Sequence, residues 1–187
     1  MSLAEGYPDP LLYWYTIFKA GIMENRYSKF KKLNWLLVNS FEAERIYYNA
    51  SEDVQEVGLK RYFGHQSVDR NRFSHQISEQ LVQAGIEPMK KWAEKGNLQR
   101  DWREERKVLV KKRPLKYLKK CLERDEENLL LYDEILEEKI MPNEILKMLK
   151  KQKESILKGM AEGEKFRTGE TPLIPENKSK VRTLRAI

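Results

Sequence analysis

The 187-residue chain has a single cysteine, Cys121, which excludes an intrachain disulfide and any cysteine-based zinc site. Histidine is almost as scarce: only His65 and His75 are available as imidazole ligands or bases. With 9 Gly and 7 Pro, the chain has few of the residues that punctuate short strands, and long helices are favoured. No apolar run approaches the ~20 residues of a membrane span. The longest, residues 11–18, is short and rich in aromatics. The N-terminus lacks the basic, apolar and small-residue order of a secretory signal. The expected compartment is the cytoplasm, where a lone thiol stays reduced.

What is present suits helices. Hydrophobic residues make up 40% and charged residues 35%, as in helices with a narrow apolar stripe and a broad solvated face. The net charge is +7, from 36 Lys+Arg against 29 Asp+Glu. Acids and bases interleave, many at i,i+4 spacing, which describes a solvated surface better than a nucleic-acid footprint.

Asp9-Pro10 is a suitable start for a helix, which the pattern carries to about Met23 with Leu11, Leu12, Trp14, Tyr15, Ile17, Phe18 and Ile22. A second is expected from Ser28 to Ala50, with Leu33, Leu37, Ser40, Glu44 and Tyr47 on its stripe, broadened by Phe30, Leu36, Phe41 and Tyr48. A third begins near Ser51 and runs to Ala84 through Leu59, Tyr62, Phe63, Phe73, Ile77 and Leu81, with Gly85 as its stop. Leu98, Trp102 and Leu109 mark a fourth, and Pro114 restarts the pattern in a fifth with Leu118, Leu122, Leu129 and Tyr132. Met141-Pro142-Asn143 opens a sixth with Ile145, Leu149, Gln152 and Ile156. Such helices with short connections imply an all-α, antiparallel bundle of the four-helix type. The organisation expected is an N-terminal aromatic helix (1–28), a bundle (29–166) and an extended basic tail (167–187).

Extending each stripe by threes and fours singles out polar residues aimed at the core: Glu44, Gln66, Arg70, Arg100 and Asp125. Burying any of these charges alone would cost several kcal/mol, so pairing of carboxylates with guanidiniums is expected. The competing chemistry is a bundle metal site with Glu44 and Asp125 as ligands. Di-iron bundles use Glu-x-x-His pairs. Here Tyr62 and Arg72 stand three before His65 and His75, so that site is not encoded, and the nearby arginines oppose a cation. No metal or cofactor is therefore expected. No nucleophile with an activating partner is evident, and catalysis is not expected.

Leu33-Asn34-x-Leu36-Leu37, Ala43-Glu44-x-x-Tyr47, Glu52-Asp53-Val54, Leu59-Lys60-x-x-Phe63, Arg70-x-x-Phe73, Gly96-Asn97 and Arg100-x-Trp102, followed by Asp125 and Tyr132, resemble a bacterial family of ferritin-like four-helix bundles known as domain of unknown function 2383. The resemblance covers residues 29 to 165. It implies a ferritin-like bundle in a bacterial cytoplasm. The family often carries His before the arginine matching Arg100, where this chain has Gln99, and usually Glu where Asp125 stands. Both departures weaken a metal-binding role.

Function is accordingly expected to reside in protein contacts or self-association, with Tyr13, Trp14, Tyr15 and Phe18 as interface anchors. A degenerate metal protein is a second reading. An anion or nucleic-acid binder, using the basic tail from Lys178 to Arg185, is a third. Peripheral membrane contact by the aromatic helix is disfavoured, because the basic residues follow that helix and do not line its polar face.

Overall fold

The structure, a computed structural model, describes residues 10–89 and 109–173, with side chains from residue 29 onward. Four long helices dominate: α1 (Pro10–Asp53), α2 (Val57–Gln83), α3 (Pro114–Glu138) and α4 (Asn143–Thr168). A short helical stretch over 109–112 precedes α3, and no strand occurs among the described residues. The fold is an all-α bundle.

α1 differs from the two helices expected over this stretch. It is continuous for 44 residues, because neither Gly nor Pro falls between Met23 and Ser28 to interrupt the amide ladder. The next boundary also shifts, from Ser51 to Val57. Glu56 caps α2, its carboxylate accepting from the Gly58 amide at 3.0 Å and the Leu59 amide at 2.5 Å. At the far end of α2, Gly85 adopts φ 71°, and Ile86 N donates to Leu81 O while Gly85 N donates to Val82 O. This crossed pair of bonds is a Schellman stop, and Ile86 closes it by packing in the same apolar cluster as Leu81. Pro114 occupies the first turn of α3, where its missing N–H costs nothing.

Cross-helix contacts give the topology. Glu42 pairs with Arg124, Asn39 with Asn128, and Lys32 with Glu138, so α1 and α3 run antiparallel. Tyr62 reaches Gly159, Asp69 reaches Ser155 and Gln76 reaches Gln152, so α2 and α4 are antiparallel as well. α1 also packs on α2, and α3 on α4. That leaves α2 and α3 across a diagonal and pointing the same way. The end of α2 and the start of α3 therefore lie at opposite ends of the bundle.

The interior divides into two apolar clusters. One gathers Phe30, Leu33, Leu37, Phe73, Ile77, Leu129, Tyr132 and Leu149; the other gathers Tyr47, Val54, Tyr62, Phe63, Val110, Leu118, Leu122 and Phe166. Each fully buried Leu or Phe contributes roughly 1.5–3 kcal/mol. Tyr48, expected to broaden the stripe, is 56% exposed, because it points away from both partner helices. Polar residues fill the level between the clusters.

Candidate functional site

Arg70 on α2 lies three residues before Phe73 and seven after Phe63, at the seam between the two clusters. Its side chain is fully buried. Across the diagonal, Asp125 occupies the matching level of α3 between Leu122 and Leu129 and is 2% exposed. Arg70 Nη2 donates to Asp125 Oδ2 at 2.7 Å, and the Tyr47 hydroxyl of α1 donates to the same oxygen at 2.7 Å. Three helices thus converge on one carboxylate.

The surrounding chemistry suits a buried cation held by a carboxylate. The Arg70 guanidinium carbon lies 5.6 Å from the ring centroids of both Tyr47 and Phe73, within cation–π range. Burial alone would lower the Arg70 pKa, but the Asp125 charge and its hydrogen bond more than offset this, and the net direction is upward. Tyr47 is pushed well above the ordinary phenol value, first by burial and then by the negative charge of Asp125. The proton therefore stays on the phenol, where it serves as a donor.

A second polar strand runs alongside. The Tyr132 hydroxyl of α3 donates to Gln152 Oε1 of α4 at 3.0 Å, and Gln152 Nε2 donates to Gln76 Oε1 of α2 at 2.8 Å. Gln66 is buried against Gly159 of α4; a Cβ built there would lie 2.4 Å from its Oε1. α2 and α4 approach closely because positions 159 and 163 have no side chain: a Cβ at Gly163 would lie 2.6 Å from the Tyr62 hydroxyl. Glu44 is half-buried at the edge of the layer and accepts from Asn71 Nδ2 at 2.9 Å. Arg70 Nε and Nη1, Glu44 Oε2 and Gln66 Oε1 are buried without a hydrogen-bond partner among the described residues.

Of the residues the sequence points to, Arg70, Asp125 and Gln66 lie in the core. Glu44 lies at its margin, bonded to Asn71 and not to an arginine by any described bond. Arg100 lies outside the described residues, as do the side chains of Tyr13, Trp14, Tyr15 and Phe18 and the tail from Lys178 to Arg185. His65 and His75 are exposed. Cys121 is buried, and burial pushes its thiol pKa far up, which keeps it protonated and unreactive. Sequence reading placed Tyr47, Tyr132 and Gln152 on apolar stripes without assigning their polar atoms a role. It also passed over Gly159 and Gly163, two glycines inside one helix, each pressed by a side chain of α2.

The donor set does not fit a metal ion. Both ligands to Asp125 Oδ2 are hydrogen-bond donors, one of them a cation. Among the described residues, no group of three or more His, Cys, Asp or Glu is placed to hold one. A polar cleft of about 190 Å³ reaches Asp125 from outside, lined by Asn39, Ala43, Arg124, Glu127 and Asn128. Arg124 at its mouth is paired with Glu42, and Asn39 with Asn128, so its rim is tied across α1 and α3.

A family model described as Domain of unknown function (DUF2383) matches residues 28–138. The match enters α1 partway along and ends with the last residue of α3, so α4 lies outside it. No curated protein matches the chain. No helix among the described residues is long and apolar enough to cross a membrane.

Proposed function

The chain belongs to the family described as Domain of unknown function (DUF2383), and we propose that it is a non-catalytic, ferritin-like bundle of a bacterial cytoplasm that acts through protein contacts. The observation that carries this reading is the closure of Asp125 by Arg70 and Tyr47. With Oδ2 held by both a guanidinium and a phenol, the natural work of this carboxylate is to fix helix register. The ferritin-like reading is supported by the parallel run of α2 and α3, which puts the end of one and the start of the other at opposite ends of the bundle.

The proposed organisation is an arm (1–28), a bundle (29–166) and a basic tail (167–187), with the partner engaging the arm. α1 begins at Pro10, while the bundle end is reached near Phe30, where Lys32 meets Glu138. The intervening helix is about 28 Å long at 1.5 Å per residue. Tyr13, Trp14, Tyr15 and Phe18 fall in this segment, and aromatic residues are the usual anchors of an interface.

The test is affinity capture and light scattering on the full chain against the W14A/Y15A/F18A variant. Loss of a retained partner or of self-association, with the melting temperature unchanged, supports the reading. Equal behaviour of the two proteins contradicts it.

A further inference from the structure

Averaged over the chain, bases and acids interleave; on α3 they do not. From residue 111 to residue 122 there is no acid, and Lys111, Lys112, Arg113, Lys116, Lys119 and Lys120 are all exposed. At the other end of the same helix stand Asp133, Glu134, Glu137 and Glu138. This order opposes the helix dipole, which favours acids in the first turn and bases in the last. α4 obeys that rule, with Glu144 in its first turn and Lys165 and Arg167 in its last. α3 has no acid in its first turn and no base in its last.

The two ends of α3 differ in how the chain treats the inverted charge. Lys32 bridges Glu134 and Glu138, and Lys153 pairs with Asp133, so neighbouring helices neutralise the acidic end. At the basic end only Lys119 has an ion pair among the described residues, an exposed one with Glu123 at 3.5 Å. The Arg113 side chain does not cap the helix. A cluster of exposed cations at the positive end of a dipole, with one ion pair among the described residues, is an arrangement that an external polyanion stabilises.

We propose that this face, Lys111 to Lys120, is a docking surface for the phosphodiester backbone of a nucleic acid. A protein partner would look for apolar or aromatic anchors among the charges, and a lipid surface for residues to insert. The apolar residues of this stretch offer little of either, since Tyr117 and Leu118 are buried in the bundle and Leu115 is half-buried against the same cluster. Arg113, Lys116 and Lys120 fall along one side of the helix over about 10 Å, a row of point charges without base-reading side chains. Binding is accordingly independent of sequence and driven by counterion release.

The experiment measures binding of the full chain to random-sequence duplex DNA, to the same length of single strand, and to anionic vesicles, across a salt series. The K112Q/K116Q/K120Q variant is run beside it. All three positions are exposed, and the dipole predicts that the variant melts at the same or a higher temperature. Losing three phosphate contacts lowers the salt slope for duplex by about 2.7, so between 50 and 200 mM salt the wild type loses roughly 40-fold more affinity than the variant. On the single strand the same three contacts change the slope by about 0.7 each. Equal salt slopes for the two proteins place any binding elsewhere, in the basic tail, and overturn the proposal. Binding to vesicles but to neither nucleic acid overturns it as well, as does no binding at low salt.

Discussion

Arg70 of α2 and Asp125 of α3 meet through the centre of the bundle, with Nη2 2.7 Å from Oδ2 across the diagonal that Phe63 and Tyr117 also bridge by a ring contact. Adjacent helices can be held by apolar ridges. A diagonal pair needs a long side chain reaching through the centre, and an arginine meeting a carboxylate does that with fixed geometry. The two apolar clusters above and below set the length of the bundle, and the polar layer sets the rotation of each helix.

The close approach of α2 and α4 yields one expected outcome. Gly159→Ala places a methyl 2.4 to 2.8 Å from the Gln66 amide, so Gln66 must leave its buried position. The expected loss is about 1–3 kcal/mol by urea unfolding. Gln66→Ala in the same chain should relieve much of the clash. Gly64→Ala is the control: its Cβ meets nothing within 4 Å, and a gain of about 0.4–1 kcal/mol is expected. Equal effects at both glycines would contradict the packing described.

Alkaline titration gives a second. Burial holds the phenols of Tyr47, Tyr62 and Tyr132 above their ordinary value, and the Asp125 charge adds to this in all three. A raised folded-state pKa means that the folded chain keeps a proton which the unfolded chain releases. The associated stability is whole below the unfolded value near ~10 and is lost as pH rises above it. Among the 9 tyrosines, these three should ionise only together with the loss of helicity. Their reversible ionisation in a folded chain, followed by phenolate absorbance and circular dichroism, would contradict their burial.

Metal addition gives a third. A ligand at 100 times its Kd stabilises a folded protein by about 2.7 kcal/mol, a shift of several degrees. Iron(II), manganese(II) or a chelator should each leave the melting temperature unchanged. A rise with stoichiometric metal would mean that Arg70 can be displaced from Asp125.

How much of this was legible in the sequence depends on the period of the helix. Spacing by threes and fours put Arg70, Gln66 and Asp125 on inward faces, and inward is where they lie. It could not tell that Tyr47 would spend its hydroxyl on Asp125, because a tyrosine on an apolar stripe reads as core whatever its oxygen does. Glu44 fell on a stripe yet sits at the edge, since a stripe has width and one period does not say which side of it is covered. The break expected before Ser28 failed because capping residues permit a helix start without requiring one. The parallel run of α2 and α3 left no local trace. It follows from which helices pair, and pairing is decided by contacts far apart in the chain.

The most direct test of the central claim is a double-mutant cycle on Arg70→Met and Asp125→Leu, measured by denaturant unfolding. If the two charges neutralise each other in the core, each single substitution strands its partner and costs roughly 3–5 kcal/mol, while the double variant loses less than either. Losses that simply add would show that the two groups do not depend on each other, and the account of the core as a closed ion pair would be wrong.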